Sequence, residues 1–195
     1  MKESNNSDEV SEENYFKYSI KDLFAFLFIV ILWATAHALG SAIPGLTGYA
    51  LLFILMVVFA TFTAFFINKF GAVGIVSLIA VTLIPSLPDL AGLGVKRYII
   101  MGLVGLCFEI IHWLFTKAIN MDPLRVILAA STAFATMPLW TGLMLSLYLT
   151  KLKIIQVLNL VFLDGLLAFL GASLAFLLWF YLRTYPFILK YKYEE

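Results

Sequence analysis

Two carboxylates stand alone inside long apolar stretches. Asp164 is the one charge in LNLVFLDGLLAFLGASLAFLLWFYL (158–182), and Glu109 is the one charge in YIIMGLVGLCFEIIHWLF (98–115). An ionised carboxylate among lipid tails is expensive, so such groups face a bundle interior, a partner helix or a water-filled cavity. The chemistry they offer is binding of a cation or hydrogen-bond donor, or carriage of a proton. His37 and Asp164 are candidate ligand contacts, with Trp33 and Trp140 as stacking surfaces and Thr141 beside them. A hydrogen-bonded His37–Asp164 pair fixing two helices is the equally weighted alternative, and packing is the plainer role for Trp140.

Glu109-x-x-His112 has the spacing used in carboxylate-bridged metal bundles, which need a second such motif and further Glu ligands. The chain has none, so a Glu109–His112 hydrogen bond within one helical turn is expected, and both read as buried structural polar groups. No His-Glu-x-x-His, Gly-x-Ser-x-Gly or Gly-x-x-x-x-Gly-Lys signature is present. The expectation is therefore no catalytic residue, no metal, no cofactor and no enzyme activity. The one cysteine, Cys107, cannot close an internal disulfide. A formal net charge of +1 gives no reason to expect nucleic acid.

The elements that must position these groups are membrane helices. Of 195 residues, 63% are hydrophobic and 13% charged, and the mean hydropathy is +0.99. A soluble domain of this size could not hide so much apolar surface. Apolar runs of about 20 residues predict an all-α, polytopic helical bundle of about six spans. Pro, Gly and charge divide it near 23–43, 48–67, 71–85, 98–117, 124–149 and 154–182. Residues 1–22 read as a polar disordered tail with an interfacial stretch, 23–182 as the membrane domain, and 183–195 as a C-terminal tail. The third span is short and ends in LIPSLPDLAGLG, where Pro85 and Pro88 remove backbone donors, so a partly re-entrant segment is admissible there.

Six spans place both termini on one side. That side collects Lys2, Lys17, Lys21, Lys69, Lys117, Arg125, Arg183, Lys190 and Lys192, against Lys96, Arg97, Lys151 and Lys153. The positive-inside trend makes the N- and C-termini cytoplasmic, and Tyr49, Tyr98 and Tyr148 then fall near the outer interface. His37, Asp164, Trp140 and Thr141 lie in the outer half, Glu109 and His112 deeper. Pro138 is expected to kink the fifth helix just below Trp140. Small residues mark the packing seams: Ala34, Ala38 and Ala42 in the first span, Gly102 and Gly105 with Glu109 and His112 in the fourth, and Asp164, Ala168, Gly171 and Ala175 in the last.

The segments FFINKFGAVGIVSLIA (65–80) and YIIMGLVGLCFEIIHWLF (98–115), with the alanine-rich first span, make the chain similar to one transporter family. It resembles the substrate-binding S component of energy-coupling factor vitamin transporters, most of all those tied to thiamine or its hydroxymethylpyrimidine precursor. The resemblance covers roughly residues 23 to 182. It implies a vitamin-sized ligand in the outward half, near Trp140, Asp164 and the 86–97 loop. It also implies a transmembrane coupling protein contacting Ala34, Ala38 and Ala42, and separate ATPase subunits. Beside this reading stand a structural or assembly protein without a small ligand and a proton-coupled carrier using Glu109, His112 and Asp164. No convincing inverted repeat supports the carrier.

Overall fold

A computed structural model describes residues 17–146, 154–186 and 188. The described chain is helical: α1 (Ile20–Gly40), α2 (Gly45–Ile67), α3 (Ala72–Leu83), α4 (Lys96–Ala118), α5 (Asp122–Ala135), α6 (Met137–Ser146) and α7 (Ile154–Leu182). Five helical stretches are long and apolar enough to cross a membrane, with α5 and α6 forming one of them. Together they form a multi-pass helical membrane bundle. Residues 1–16 and most of 187–195 lie outside the described residues, as do Tyr148, Lys151 and Lys153.

Local chemistry sets the boundaries. Ser19 starts α1 with a reciprocal cap, accepting from the Asp22 N–H while Asp22 accepts from the Ser19 N–H at 2.6 Å. Asn68 ends α2 in the left-handed region (φ 49°), and Gly71 (φ 80°) turns the chain into α3. At 12 residues α3 is about 18 Å long, shorter than the hydrocarbon core is thick, and the 84–95 turns continue it toward the Tyr49 end. Pro85 and Pro88 follow it, and residues 84–95 form successive turns instead of further helix.

The fifth span breaks as its proline requires. Pro138 brings no N–H, and the helix ends at Ala135 before restarting at Met137. The first span departs from expectation. α1 stops at Gly40, so Ala42 sits in the following turn and the alanine stripe is shorter than its spacing suggested. Ala38 is exposed and Ala34 half-buried.

α7 packs against α2 and α5, α4 against α3 and α5, and α1 against α2 and α3. Small residues set the distances. A methyl on Gly171 would stand 2.9 Å from Val57 Cβ and 3.0 Å from the Ile54 carbonyl oxygen. The core behind these seams holds Trp33, Phe53, Met56, Ile100, Met101 and Phe134, while Phe24, Phe28, Ile31, Leu166, Phe169 and Leu170 face outward. Large apolar side chains over so much of the outer surface suit lipid as solvent.

One end of the bundle is tied by charge. Lys69 Nζ pairs with Asp22 Oδ2 at 2.7 Å and donates to the Lys17 carbonyl at 2.7 Å. Tyr18 donates to the Phe70 carbonyl. The start of α1 is thus clamped to the α2–α3 turn. Glu109, 7% exposed, reaches the same turn from α4 and accepts the Gly71 N–H at 2.8 Å. A carboxylate there satisfies an orphan donor and complements the α3 dipole. This replaces the expected Glu109–His112 hydrogen bond; His112 instead lies parallel to the Phe108 ring, 5.7 Å between centroids. Glu109 is buried as expected, whereas His112 is only half-buried, because its side of α4 opens to the surface there.

Candidate functional site

The opposite end carries a cluster of acids and a phenol. Asp164 is completely buried on α7, held against the bundle by the small residues Ala168, Gly171 and Ala175 below it. Its Oδ1 lies 2.7 Å from the Tyr49 hydroxyl, which rises from the first turns of α2. The same hydroxyl is 3.0 Å from Asp89 Oδ2. Asp89 belongs to the 84–95 connection and reaches inward from a left-handed backbone (φ 59°), a conformation that Asp tolerates better than most residues. Three parts of the chain, α2, the 84–95 turns and α7, therefore meet at one oxygen.

Donor counting constrains this cluster. A tyrosine has one O–H proton and can donate to one carboxylate only. Asp89 and Asp164 thus converge, at 3.0 Å and 2.7 Å, on a hydroxyl that can serve only one of them, and two like charges held so close repel. Either the pair retains a proton or a positive group must neutralise it. Asp164 Oδ2 is buried with no hydrogen-bond partner. The cluster is thus short of a donor, the condition of a site for a cation or donor-rich ligand.

Asp89 lies outside the spans, and burial pushes its carboxyl above the ordinary aspartate range, against the opposing hydrogen bond from Tyr49. The folded protein then binds a proton over a pH window where the unfolded chain does not. That stabilisation is complete below the ordinary aspartate pKa and is lost as pH rises through the raised folded value. Thermal unfolding in detergent should show Tm falling through that window, and Asp89→Asn should flatten the fall. Equal slopes in both proteins would refute this account of Asp89.

The other sequence-derived candidates have different partners. His37, 3% exposed, pairs through Nε2 with Ser86 Oγ at 3.1 Å, not with Asp164. It ties α1 to the turns that carry Asp89, and its Nδ1 is buried without a partner. Trp140 donates to Thr136 Oγ1 at 3.0 Å within its own helical break. Thr141 Oγ1 is buried and unpartnered. Trp33 is fully buried and stacks on Phe59 at 6.2 Å, a packing role. Tyr49 and Asp89 were missed by sequence reasoning. Tyr49 read as an interfacial ring; Asp89, the one acid between Asp22 and Glu109, carried a signal in its position just after Pro88.

Among the described residues no group of three His, Cys, Asp or Glu side chains is arranged to hold a metal. No family model matches the chain, and neither a curated protein nor a solved structure matches it. The fold and the buried acids define a multi-pass helical membrane protein with a polar cluster at one end of its bundle.

Proposed function

We propose that this chain is the membrane-embedded binding subunit for uptake of a small, water-soluble, cationic nutrient of the vitamin or vitamin-precursor kind. Separate transmembrane coupling and ATPase subunits energise it. The observation that carries the reading is the donor-deficient Tyr49–Asp89–Asp164 cluster. It is enclosed by a turn segment that could open without unfolding a helix. The positive-inside trend supports a cytoplasmic Lys69 end, with the cluster facing the outside, where a nutrient arrives. Asp164 and Asp89 neutralise the ligand, Tyr49 orients it, and Thr141 and the free His37 nitrogen supply further polar contacts. The short, partly exposed stripe through Ala34 and Ala38 offers a close-approach surface for the coupling protein. Thiamine, a permanent cation, is the first ligand to try.

One observation favours a second reading. Tyr49 already lies within hydrogen-bond distance of both carboxyls and can donate to one of them, so the cluster could serve only to fasten α2 and α7 in a structural or assembly protein. Mass spectrometry of small molecules released from gently purified protein, with thermal shifts against a panel of organic cations that includes thiamine, separates the two. A stoichiometric cation, or a panel member that raises Tm, supports the binding subunit. An empty protein that no cation stabilises leaves the structural reading.

A further inference from the structure

At the Lys69 end, two cavities adjoin. One, of about 420 Å³, is bounded by Asn68, His112, Thr116, Arg125, Trp179 and Arg183. The other, of about 380 Å³, is an almost wholly apolar groove bounded by Phe70, Leu106, Ile110 and Trp113, with Glu109, whose carboxylate accepts the Gly71 N–H, also in its wall. His112 and Thr116 belong to the walls of both. The first is basic. Arg125 spends one guanidinium nitrogen on the largely exposed Asp122, while its Nε is buried with no partner. Arg183 rests on the Phe180 ring, 4.5 Å from its centroid. Lys117, 4.3 Å above the Trp113 ring, adds a third cation beside the groove.

A polar, basic pocket continuous with an apolar groove has the layout of an amphiphile. We propose that this end of the bundle is a binding site for an anionic phospholipid, its phosphate held by Arg125 and Arg183 and one acyl chain laid along Phe70, Leu106, Ile110 and Trp113. Charge complementarity selects the anionic class: two arginines face one acid, and guanidinium geometry matches phosphate oxygens in pairs. The groove selects a lipid over a free phosphate, since a soluble anion leaves it unfilled. Trp113 with Lys117 and Phe180 with Arg183 are ring–cation pairs of the kind that settle at a headgroup boundary. The site is independent of the Asp89–Asp164 cluster and of the uptake reading.

The test titrates detergent-purified full-length protein with phosphatidylglycerol, phosphatidylcholine, or glycerol phosphate, reading Tm and lipid retention by native mass spectrometry. Phosphatidylglycerol should raise Tm and stay bound, and the other two should do neither. Arg183→Gln, at an exposed side chain that leaves the core intact, should weaken retention about fivefold, the scale of one basic group at a membrane surface. Asp122→Asn should strengthen it, because the competing acid is gone while its exposed position spares the fold. Equal stabilisation by phosphatidylcholine overturns the charge argument. An equal response to glycerol phosphate overturns the lipid in favour of a free phosphate. Unchanged retention in both Arg183→Gln and Asp122→Asn overturns the site itself.

Discussion

Asp164→Asn is expected to lower affinity for the stabilising cation of the panel by at least about a hundredfold, since stranding one partner of a buried ion pair costs about 3–5 kcal/mol. Its ligand-free Tm should equal or exceed that of the wild type. The asparagine carbonyl can still accept the Tyr49 hydroxyl from the position of Oδ1, now 2.7 Å away, and the crowding of two acids around one phenol is relieved. This combination of lost binding with retained stability distinguishes the two functional readings. A structural clamp has no binding to lose. Isothermal titration with the selected cation, alongside Tm, measures both quantities on one preparation. Unchanged affinity would remove Asp164 from the site, and a Tm well below wild type with no cation effect in either protein would assign it to packing. Tyr49→Phe should behave differently from Asp164→Asn. It removes the one hydroxyl that both acids touch, so it should weaken ligand-free stability as well.

How much of this was legible follows from what each residue needs. Asp164 and Glu109 stood out because a charge within an apolar run is costly wherever the chain folds, and the small residues at helical spacing beside them showed which faces turn inward. Their partners were not legible. Glu109 meets the Gly71 N–H, 38 positions away, and Asp164 meets Tyr49, 115 positions away. Helical periodicity describes one helix at a time and says nothing about such pairings. Asp89 was obscured for a further reason. It reaches the site from a left-handed turn after two prolines, where no periodic pattern assigns a facing direction. The seam through Ala42 failed differently: spacing extended the stripe past Gly40, but the helix had already ended. Pro138 was informative because its missing donor acts on its own helix, and the break at Thr136 is local.

The sharpest steric demand of one helix on another's backbone lies between α3 and α4. A methyl added at Gly105 would stand 2.6 Å from Gly74 Cα and 3.2 Å from Gly74 N. Both are backbone atoms, so no flexible side chain can give way and the helices must separate. Over-packing a core costs about 1–3 kcal/mol when side chains can shift; Gly105→Ala should reach the upper part of that range, and Gly105→Leu should exceed it. Gly102→Ala is the control on the same helix, with nothing within 4 Å of its added methyl, and should leave Tm nearly unchanged. The consequence extends beyond stability. α3 is short, its start is capped by Glu109 of α4, and its far end leads into the turns that carry Asp89 and the Ser86 partner of His37. Pushing α3 outward should therefore draw Asp89 away from Tyr49 and weaken cation binding, although Gly105 contacts neither acid. A Gly105→Ala protein with reduced Tm but wild-type affinity would mean that the 84–95 turns hold their position without α3. Equal Tm values for Gly105→Ala and Gly102→Ala would mean that the close crossing does not govern packing.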